Sequence, residues 1–330
     1  MKNLEVESQK DTVRRNLDRM TRSAIGHLHA TAQEIFSRDV VCHFAHPLNE
    51  LDGLKAMIDK FWVPLKTACA DLERRDDIVV GGRSAGADWV AATGYYYGTF
   101  TSDWLGIPAT QNWIAIRYGE FYRVVAGRIV EFYSIIDFVD VMRQAGIKLL
   151  PPALGIESLV PPPALQDGIS WQHADDAESL RTRRLVEAMI FDGLLQFDGK
   201  SSASIGMERY WHPDMMWFGP GGIGTTRGLA GFLTYHQEPF QNAFPDWKGE
   251  IPLAIAEGNF MAAGGWPSIH CTHSGAPWLG VQPSGRRLTM RVMDWWRRDG
   301  DWLKENWIFI DVAHVLLQLG VDLFAADKLR

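Results

Sequence analysis

The chain has 330 residues, which suits about two domains of ordinary size. It is 46% hydrophobic and 12% aromatic, so it can bury a sizeable core, and its net charge of −7 without a basic block argues against nucleic acid or an anionic membrane as a partner. Three scattered cysteines, a polar N-terminus and the lack of a long apolar stretch predict a cytoplasmic protein without a disulfide framework, a signal peptide or a membrane span.

The first half of the chain predicts helices followed by strands. A helical segment, DTVRRNLDRMTRSAIGHLHATAQEIFS, is followed by a turn region around HFAHPLNE and by a second helix ending near Pro64. Three strands are predicted next: DWVAATGYYYGTF, NWIAIRYGEFYRVV and RIVEFYSIID. A short helix carrying VMRQAG ends this half, and Gly146 suits its C-terminal stop.

A proline-rich segment, LLPPALGIESLVPPPALQDG, follows at 149–168 and reads as an extended linker. We therefore predict one domain over 1–150, a linker over 151–169 and a second domain over 170–330.

The second half repeats the plan of the first. The helical segment DDAESLRTRRLVEAMIFDGLLQFDG comes first, and a second helix is predicted to end near Pro239. The predicted strands are NFMAAGGWPSIHCTHS, RLTMRVMDWWRR and DWLKENWIFID, and a short helix carries VLLQLG. Helices followed by an antiparallel meander indicate an α+β fold.

One segment occurs in both halves. EFYSIIDFVDVMRQAG at 131–146 aligns without gaps with ENWIFIDVAHVLLQLG at 305–320, and Asp137 falls on Asp311. The offset of 174 residues persists back to the WLG of each half, and it becomes 175 nearer the N-terminus of each half. A single change of offset over such a stretch indicates a duplicated domain, and its length excludes a short-period solenoid. We call the two halves the first copy and the second copy.

Each copy resembles the SnoaL-like polyketide cyclases, a group with the nuclear transport factor 2-like (NTF2-like) fold. The features that carry the resemblance are the terminal I/L-x-E-x-aromatic-x-x-x-D pattern shortly after a glycine, with a helix ending Q-x-G, the acids Glu120 and Asp294, the WLG turn, and an early acid followed by Gly-Leu. The resemblance implies two cone-shaped half-barrels. In each of them a curved antiparallel sheet packs on N-terminal helices and encloses an apolar pocket.

The resemblance also assigns the role of general acid/base to Asp137 and Asp311, and the acid/base reactions that such a group performs require no metal and no organic cofactor. Alternation along a strand places Asp137 on one face with Tyr133 and Asp311 on one face with Trp307. Apolar surroundings would raise the pKa of these carboxyl groups towards neutrality. The alternative is that both aspartates only cap the helices that follow them.

The remaining candidates are side chains expected to bind a substrate. Arg123 and Arg297 would hold a carboxylate or enolate oxygen, or would instead form ion pairs with nearby acids such as Glu131 and Glu305. A histidine at a pocket rim or on a strand could serve as a second acid/base group, and aromatic side chains would form the pocket wall. The full substrate-binding set is Arg123, Arg297, His46, His270, Tyr133, Trp307 and Trp113.

Two classes of function follow from these patterns. The first is a cofactor-independent acid/base enzyme acting on a hydrophobic carbonyl compound by cyclisation, isomerisation, dehydration or hydrolysis. The second is a non-catalytic module that binds an apolar ligand or a protein. An isolated acid without a basic partner would favour the enzyme. Apolar residues on both faces of the strands further predict a pseudo-dimer of the two copies within one chain, with further homo-oligomers possible.

Overall fold

The computed structural model describes residues 2–157, 159–170, 174–325 and 327–329, with side chains from residue 9 onward. The first copy begins with helices, continues with a sheet and ends with a short helix. Its elements are α1 (Lys2–Arg22), α2 (Leu28–Ile35), β1 (Phe36–Phe44), β2 (Glu50–Asp52), α3 (Gly53–Met57), α4 (Val63–Ala68), β3 (Glu73–Ser84), β4 (Ala87–Thr99), β5 (Trp113–Val125), β6 (Arg128–Ile136) and α5 (Phe138–Gln144).

The second copy repeats this order. Its elements are α6 (Asp176–Phe191), β7 (Trp211–Phe218), β8 (Thr226–Arg227), α7 (Gly228–Phe232), α8 (Glu238–Ala243), β9 (Lys248–Gly249), β10 (Leu253–Glu257), β11 (Phe260–Thr272), β12 (Arg287–Asp299), β13 (Trp302–Ile310) and α9 (Val312–Gln318). The α+β prediction is confirmed, because each copy has one sheet packed with helices. The domain boundaries stay a prediction.

The two sheets share one topology. The strand order is β2-β1-β6-β5-β4-β3 in the first copy and β10-β11-β12-β13-β7-β8 in the second, with β9 paired to β11. The long strands are antiparallel, as predicted, but β1 pairs parallel with β6, and β7 pairs parallel with β13. The predicted meander began after the second helix of each copy. It therefore left out β1 and β7, which form the parallel pairs.

The second helix of each copy does not end at its proline. A π-helical turn, Ile58–Trp62 or Leu233–Gln237, precedes a further α-helical segment in which Pro64 or Pro239 occupies the first turn. The residues before these prolines are already helical, so the helix continues past its proline. It ends at Ala68 or Ala243, four residues beyond the predicted end near Pro64 or Pro239.

Each sheet has an inner face towards its own helices and an outer face towards the other copy. In β5, Tyr118, Glu120 and Tyr122 belong to the inner face, whereas Gly119 and Phe121 belong to the outer face. The outer faces pack together, with the rings of Phe121 and Trp295 5.4 Å apart. A Cβ atom on Gly119 would lie 2.7 Å from the Phe309 ring, so this glycine allows the sheets to approach closely.

Among the described residues, the helices are all too short or too polar to cross a membrane.

Candidate functional site

Asp137 lies where the two copies meet. Its side chain accepts hydrogen bonds from the backbone N–H of Asp140 (3.2 Å) and from that of Gly221 in the second copy (2.9 Å). Arg117 is 3.9 Å from the carboxylate and donates to the carbonyl of Gly219 at 3.1 Å. Asp137 therefore caps α5 and ties it to the other copy.

Asp311 makes the matching contacts on the other side. It accepts from the backbone N–H of His314 (3.1 Å) and from that of His46 in the first copy (2.9 Å). Arg291 is 3.1 Å from its carboxylate and donates to the carbonyl of Phe44 at 3.2 Å. The two aspartates thus form a pair of equivalent links between the copies.

We call the space between the inner face of each sheet and the helices of its own copy the first cone and the second cone. Neither aspartate faces a cone. Strand alternation placed Asp137 correctly on the face of Tyr133, but Tyr133 is in register with Phe121, and that face is the outer one. Burial is the main cause that raises the pKa of both Asp137 and Asp311, although each has an arginine beside it. Their contacts with the following helices are those expected of capping residues. A catalytic role for them stays a prediction.

Arg123 and Arg297 form ion pairs. Arg123 Nε lies 2.7 Å from Glu131 Oε2, and Arg297 lies 3.5 Å from Glu305 and 3.0 Å from Asp167 of the linker. These contacts match the ion-pair alternative for the two arginines. Both pairs lie on the outer faces, outside the cones.

Two aromatic candidates also lie on the outer faces. Tyr133 stacks on His43 with ring centroids 4.2 Å apart, and Trp307 stacks on Phe218 at 5.2 Å. The indole N–H of Trp307 donates to the carbonyl of Pro161 in the linker, at 3.0 Å. Neither aromatic residue lines a cone, and Tyr133 instead lines a cavity between the two sheets.

The other three candidates are apart from one another. His46 packs against Phe324, with ring centroids 5.6 Å apart, near the end of the chain. Trp113 is 65% exposed and His270 is 58% exposed, so neither lies in a pocket interior. His273, three residues after His270, is fully buried.

The interior of the first cone is filled by a buried polar cluster. Glu120 is fully buried and lies 2.6 Å from Arg74. It also accepts hydrogen bonds from the hydroxyl groups of Tyr96 (3.0 Å), Ser134 (3.3 Å) and Tyr122. The oxygens of this carboxylate are occupied by one cation and three hydroxyls, so they are not free to exchange a proton with a ligand.

Asp294 occupies the place of Glu120 in the second cone. The two acids have equivalent positions in register, since Glu120 pairs with Ser134 and Asp294 with Ile308. Asp294 accepts one hydrogen bond, from the side-chain amide of Asn306 at 3.0 Å. Among the described residues it has no ion-pair partner, and burial raises the pKa of Asp294 to about 7. It is the isolated acid that sequence reasoning sought at Asp137 and Asp311.

His236 is a second ionisable group of the second cone. It occupies the sequence position that Phe61 has in the first copy, and its ring stacks on Trp217 with centroids 3.8 Å apart. Burial lowers the pKa of His236 to about 3, so the imidazole is neutral at pH 7. Within the described part of the chain its ring nitrogens have no hydrogen-bond partner.

The second cone also has smaller side chains than the first at several equivalent positions. The first-copy residues Arg74, Tyr118 and Phe132 have smaller equivalents in the second copy, which are Gly249, Val292 and Asn306. The side chains around Asp294 in the second cone are therefore smaller than those around Glu120 in the first.

Sequence reasoning identified Asp294 only as a feature of the family resemblance. The signal that it differs from Glu120 was present in the alignment of the copies: the second copy has Gly249 where the first has Arg74. Among the described residues, no group of three His, Cys, Asp or Glu side chains could hold a metal ion.

Comparison with known proteins gives the family. The family model described as SnoaL-like polyketide cyclase matches residues 15–145 and again 202–319. No curated protein matches the sequence. Similar solved structures include AclR from Streptomyces galilaeus, with 22% identity over 43% of this chain and 97% of AclR and a TM-score of 0.35. IdmH from Streptomyces antibioticus has 24% identity over 44% of this chain and 99% of IdmH, with a TM-score of 0.33.

A third similar structure is a SnoaL-like polyketide cyclase from Agrobacterium tumefaciens. It has 20% identity over 41% of this chain and 96% of that chain, with a TM-score of 0.32. Because the two family-model matches together span most of the sequence, the chain belongs to the SnoaL-like polyketide cyclase family and carries the family's domain twice.

Proposed function

We propose that the second cone is a cofactor-independent acid/base site for a hydrophobic carbonyl compound, with Asp294 as the proton-transfer group. The observation that carries the proposal is the isolation of Asp294: among the described residues it has one amide donor and no ion-pair partner, and its pKa is raised to about 7. A group that is half ionised near neutral pH can both take and return a proton. Family membership supports a related activity but not this reaction or a substrate.

The chemistry needs only residues of this chain. Ionised Asp294 would remove a proton from the carbon next to a carbonyl group and later return it to carbon or to the enolate oxygen. The N–H of neutral His236 would donate a hydrogen bond to that oxygen, since its ring nitrogens have no hydrogen-bond partner among the described residues. Apolar side chains such as Trp296 and Val292 would exclude water from the ligand.

The first copy would serve as a scaffold in this proposal. Its corresponding acid, Glu120, is held by Arg74 and three hydroxyl groups, and the surrounding rings leave no accessible surface. Duplication would thus have kept the interface on both copies and the reactive carboxyl group on one.

Two other assignments compete with this proposal. The family resemblance favours Asp137 and Asp311 as the acid/base groups. The arginines beside both aspartates favour the second class of function, a non-catalytic module for an apolar ligand. All three assignments predict different behaviour of point variants.

The test is exchange of acidic C–H protons with solvent, because it needs no knowledge of the natural substrate. Aromatic ketones and 1,3-diketones in D2O would be incubated with the protein and followed by proton NMR. We expect catalysed exchange that Asp294→Asn abolishes and Glu120→Gln retains. Loss of exchange in Asp311→Asn or Asp137→Asn, with Asp294→Asn unaffected, would instead support Asp137 or Asp311 as the acid/base group, as the family resemblance implies. Binding without exchange in any protein would support the non-catalytic module.

A further inference from the structure

The linker lies in a groove between the two sheets. The hydroxyl group of Tyr95 bonds both the backbone N–H of Val160 (2.7 Å) and its carbonyl (3.0 Å). Trp307 donates to the carbonyl of Pro161, and Glu305 accepts from the N–H of Ala164 at 3.0 Å. A proline-rich segment is thus bound through its backbone by two aromatic side chains and one acid. We call this the linker groove.

A second groove lies on the opposite side of the interface between the sheets. It is a cavity of about 150 Å³ with almost entirely apolar walls. We call it the open groove. Its walls are formed by Ala85, Trp89, Phe121, Tyr133, Pro252, Leu253, Gly264, Gly265, Trp266 and Met293.

The open groove repeats the groups that bind the linker. Tyr133 has the position of Trp307, and Glu131 has that of Glu305, at the common offset of 174 residues. Tyr95 lies opposite Arg117 in the first sheet. In the second sheet the corresponding place, opposite Arg291, falls in an irregular stretch of β11 between Gly265 and Ile269.

Trp266 occupies that place. The guanidinium of Arg291 lies over its indole ring, 4.6 Å from the ring centroid. Trp266 therefore corresponds to Tyr95, and like Tyr95 it carries a hydrogen-bonding group at the end of an aromatic ring. Its indole N–H donates to Glu50 at 2.8 Å, a partner in an exposed position that a ligand could replace.

We propose that the open groove binds an extended, proline-rich segment of a partner protein, as the linker groove binds the linker. Aromatic walls with hydrogen-bonding tips suit such segments, because proline side chains pack on rings and the exposed backbone carbonyls accept hydrogen bonds. The pre-formed extended conformation of the segment also reduces the entropy lost on binding.

The size and the polarity of the open groove agree with this occupant. A cavity of about 150 Å³ can hold a group of the size of benzene, which is close to a valine or proline side chain. In the linker groove it is Val160 and Pro163 that are buried. Trp89, in the wall of the open groove, has a buried indole N–H without a partner in the described part of the chain.

The experiment uses the full chain and a labelled peptide with the linker sequence ESLVPPPALQDG, followed by fluorescence anisotropy. We expect saturable binding. Leu253→Trp, which fills the open groove, should weaken binding at least about tenfold, equivalent to about 1.4 kcal/mol. Leu180→Trp adds the same side chain on an exposed part of α6 and should leave binding unchanged. A peptide with alanine at its three proline positions should bind more weakly.

Trp307→Phe distinguishes the two grooves, because it removes a hydrogen bond to the chain's own linker only. Unchanged peptide binding in this variant is expected. The proposal is overturned if the peptide does not bind, or if the alanine peptide binds equally well. It is also overturned if Trp307→Phe changes binding and Leu253→Trp does not, since the peptide would then exchange with the linker. Saturable binding of indole in the absence of peptide binding would assign the groove to small molecules instead.

Discussion

Asp294 and Glu120 occupy equivalent positions but have different surroundings. Both are acids at the same place on the inner face, but among the described residues Glu120 has an ion-pair partner, Arg74, and Asp294 has none. A buried carboxylate with a cation and several donors is a structural group, whereas an isolated one keeps a raised pKa. Asp294 therefore costs stability in its ionised form and is available for proton transfer.

Asp294→Asn should stabilise the protein at pH 8 and not at pH 4. The pKa of Asp294 is raised from an ordinary value near 3.8 to about 7, so the folded protein holds a proton between these values that the unfolded chain has lost. Stability therefore falls as the pH rises from about 4 to about 7. At about 1.4 kcal/mol per pKa unit, the expected gain in the variant at pH 8 is about 4 kcal/mol. Urea denaturation at both pH values measures it, and an equal effect at pH 4 and pH 8 would contradict the raised pKa.

Breaking the ion pair of the first copy should have the opposite effect. Arg74→Met leaves Glu120 buried without its cation, which should cost about 3 to 5 kcal/mol. The double variant Arg74→Met/Glu120→Leu removes both charges and should recover most of that loss. Thermal unfolding of the three proteins tests this, and a double variant as unstable as the single one would show that the charge is not the cause.

At the scale of strands and helices, each long strand has two different apolar faces. The inner face packs on the helices of its own copy, and the outer face packs on the other sheet, so the strands lack a polar face that would mark the solvent side. The close approach of the outer faces depends on small residues such as Gly119. The packing between the sheets should therefore be sensitive to added side-chain volume.

Gly119→Ala should destabilise the protein by about 1 to 3 kcal/mol through overpacking, because the new methyl group would meet the rings of Phe309 and Trp295. Gly26→Ala is the control, since nothing lies within 4 Å of a Cβ atom at that position. Differential scanning calorimetry compares the two variants. Equal melting temperatures for Gly119→Ala and the wild type would mean that the sheets are not in close contact there.

The long strands could be predicted from the sequence, but the face of each sheet that packs on the helices could not. β4, β5, β6 and their equivalents follow from the alternation and the turn residues, and the glycine stops at Gly146 and Gly320 adopt positive φ values of 81° and 92°. Alternation also placed Asp137 and Tyr133 on one face. It could not tell which face is the inner one, because both faces are apolar, and so the candidate site was placed on the outer face. That choice depends on which side the helices cover, which is a matter of tertiary packing.

At the scale of the whole molecule, the two copies are joined by equivalent contacts. Arg117 and Asp137 of the first copy contact backbone of the second, and Arg291 and Asp311 contact backbone of the first. The linker adds contacts to both sheets. A covalent connection makes such an association intramolecular, so it does not depend on protein concentration.

Residues 170–330 expressed alone should therefore not behave as a stable monomer. The outer face would expose Trp295, Trp307 and Phe309, which are buried in the full chain. We expect aggregation or a new homodimer, measured by size-exclusion chromatography with light scattering. A monodisperse, well-folded monomer would contradict a dependence of the second copy on the first.

The proposed division of roles places ligand chemistry in the second cone, while the Arg74–Glu120 cluster occupies the first. A crystal structure of the protein soaked with an aromatic ketone can distinguish the two cones. We expect electron density for the ketone in the second cone, with its carbonyl group or α-carbon within hydrogen-bonding or proton-transfer distance of Asp294, and an unchanged Arg74–Glu120 cluster in the first cone. A ketone bound inside the first cone, or against Asp137 or Asp311 between the copies, would contradict it.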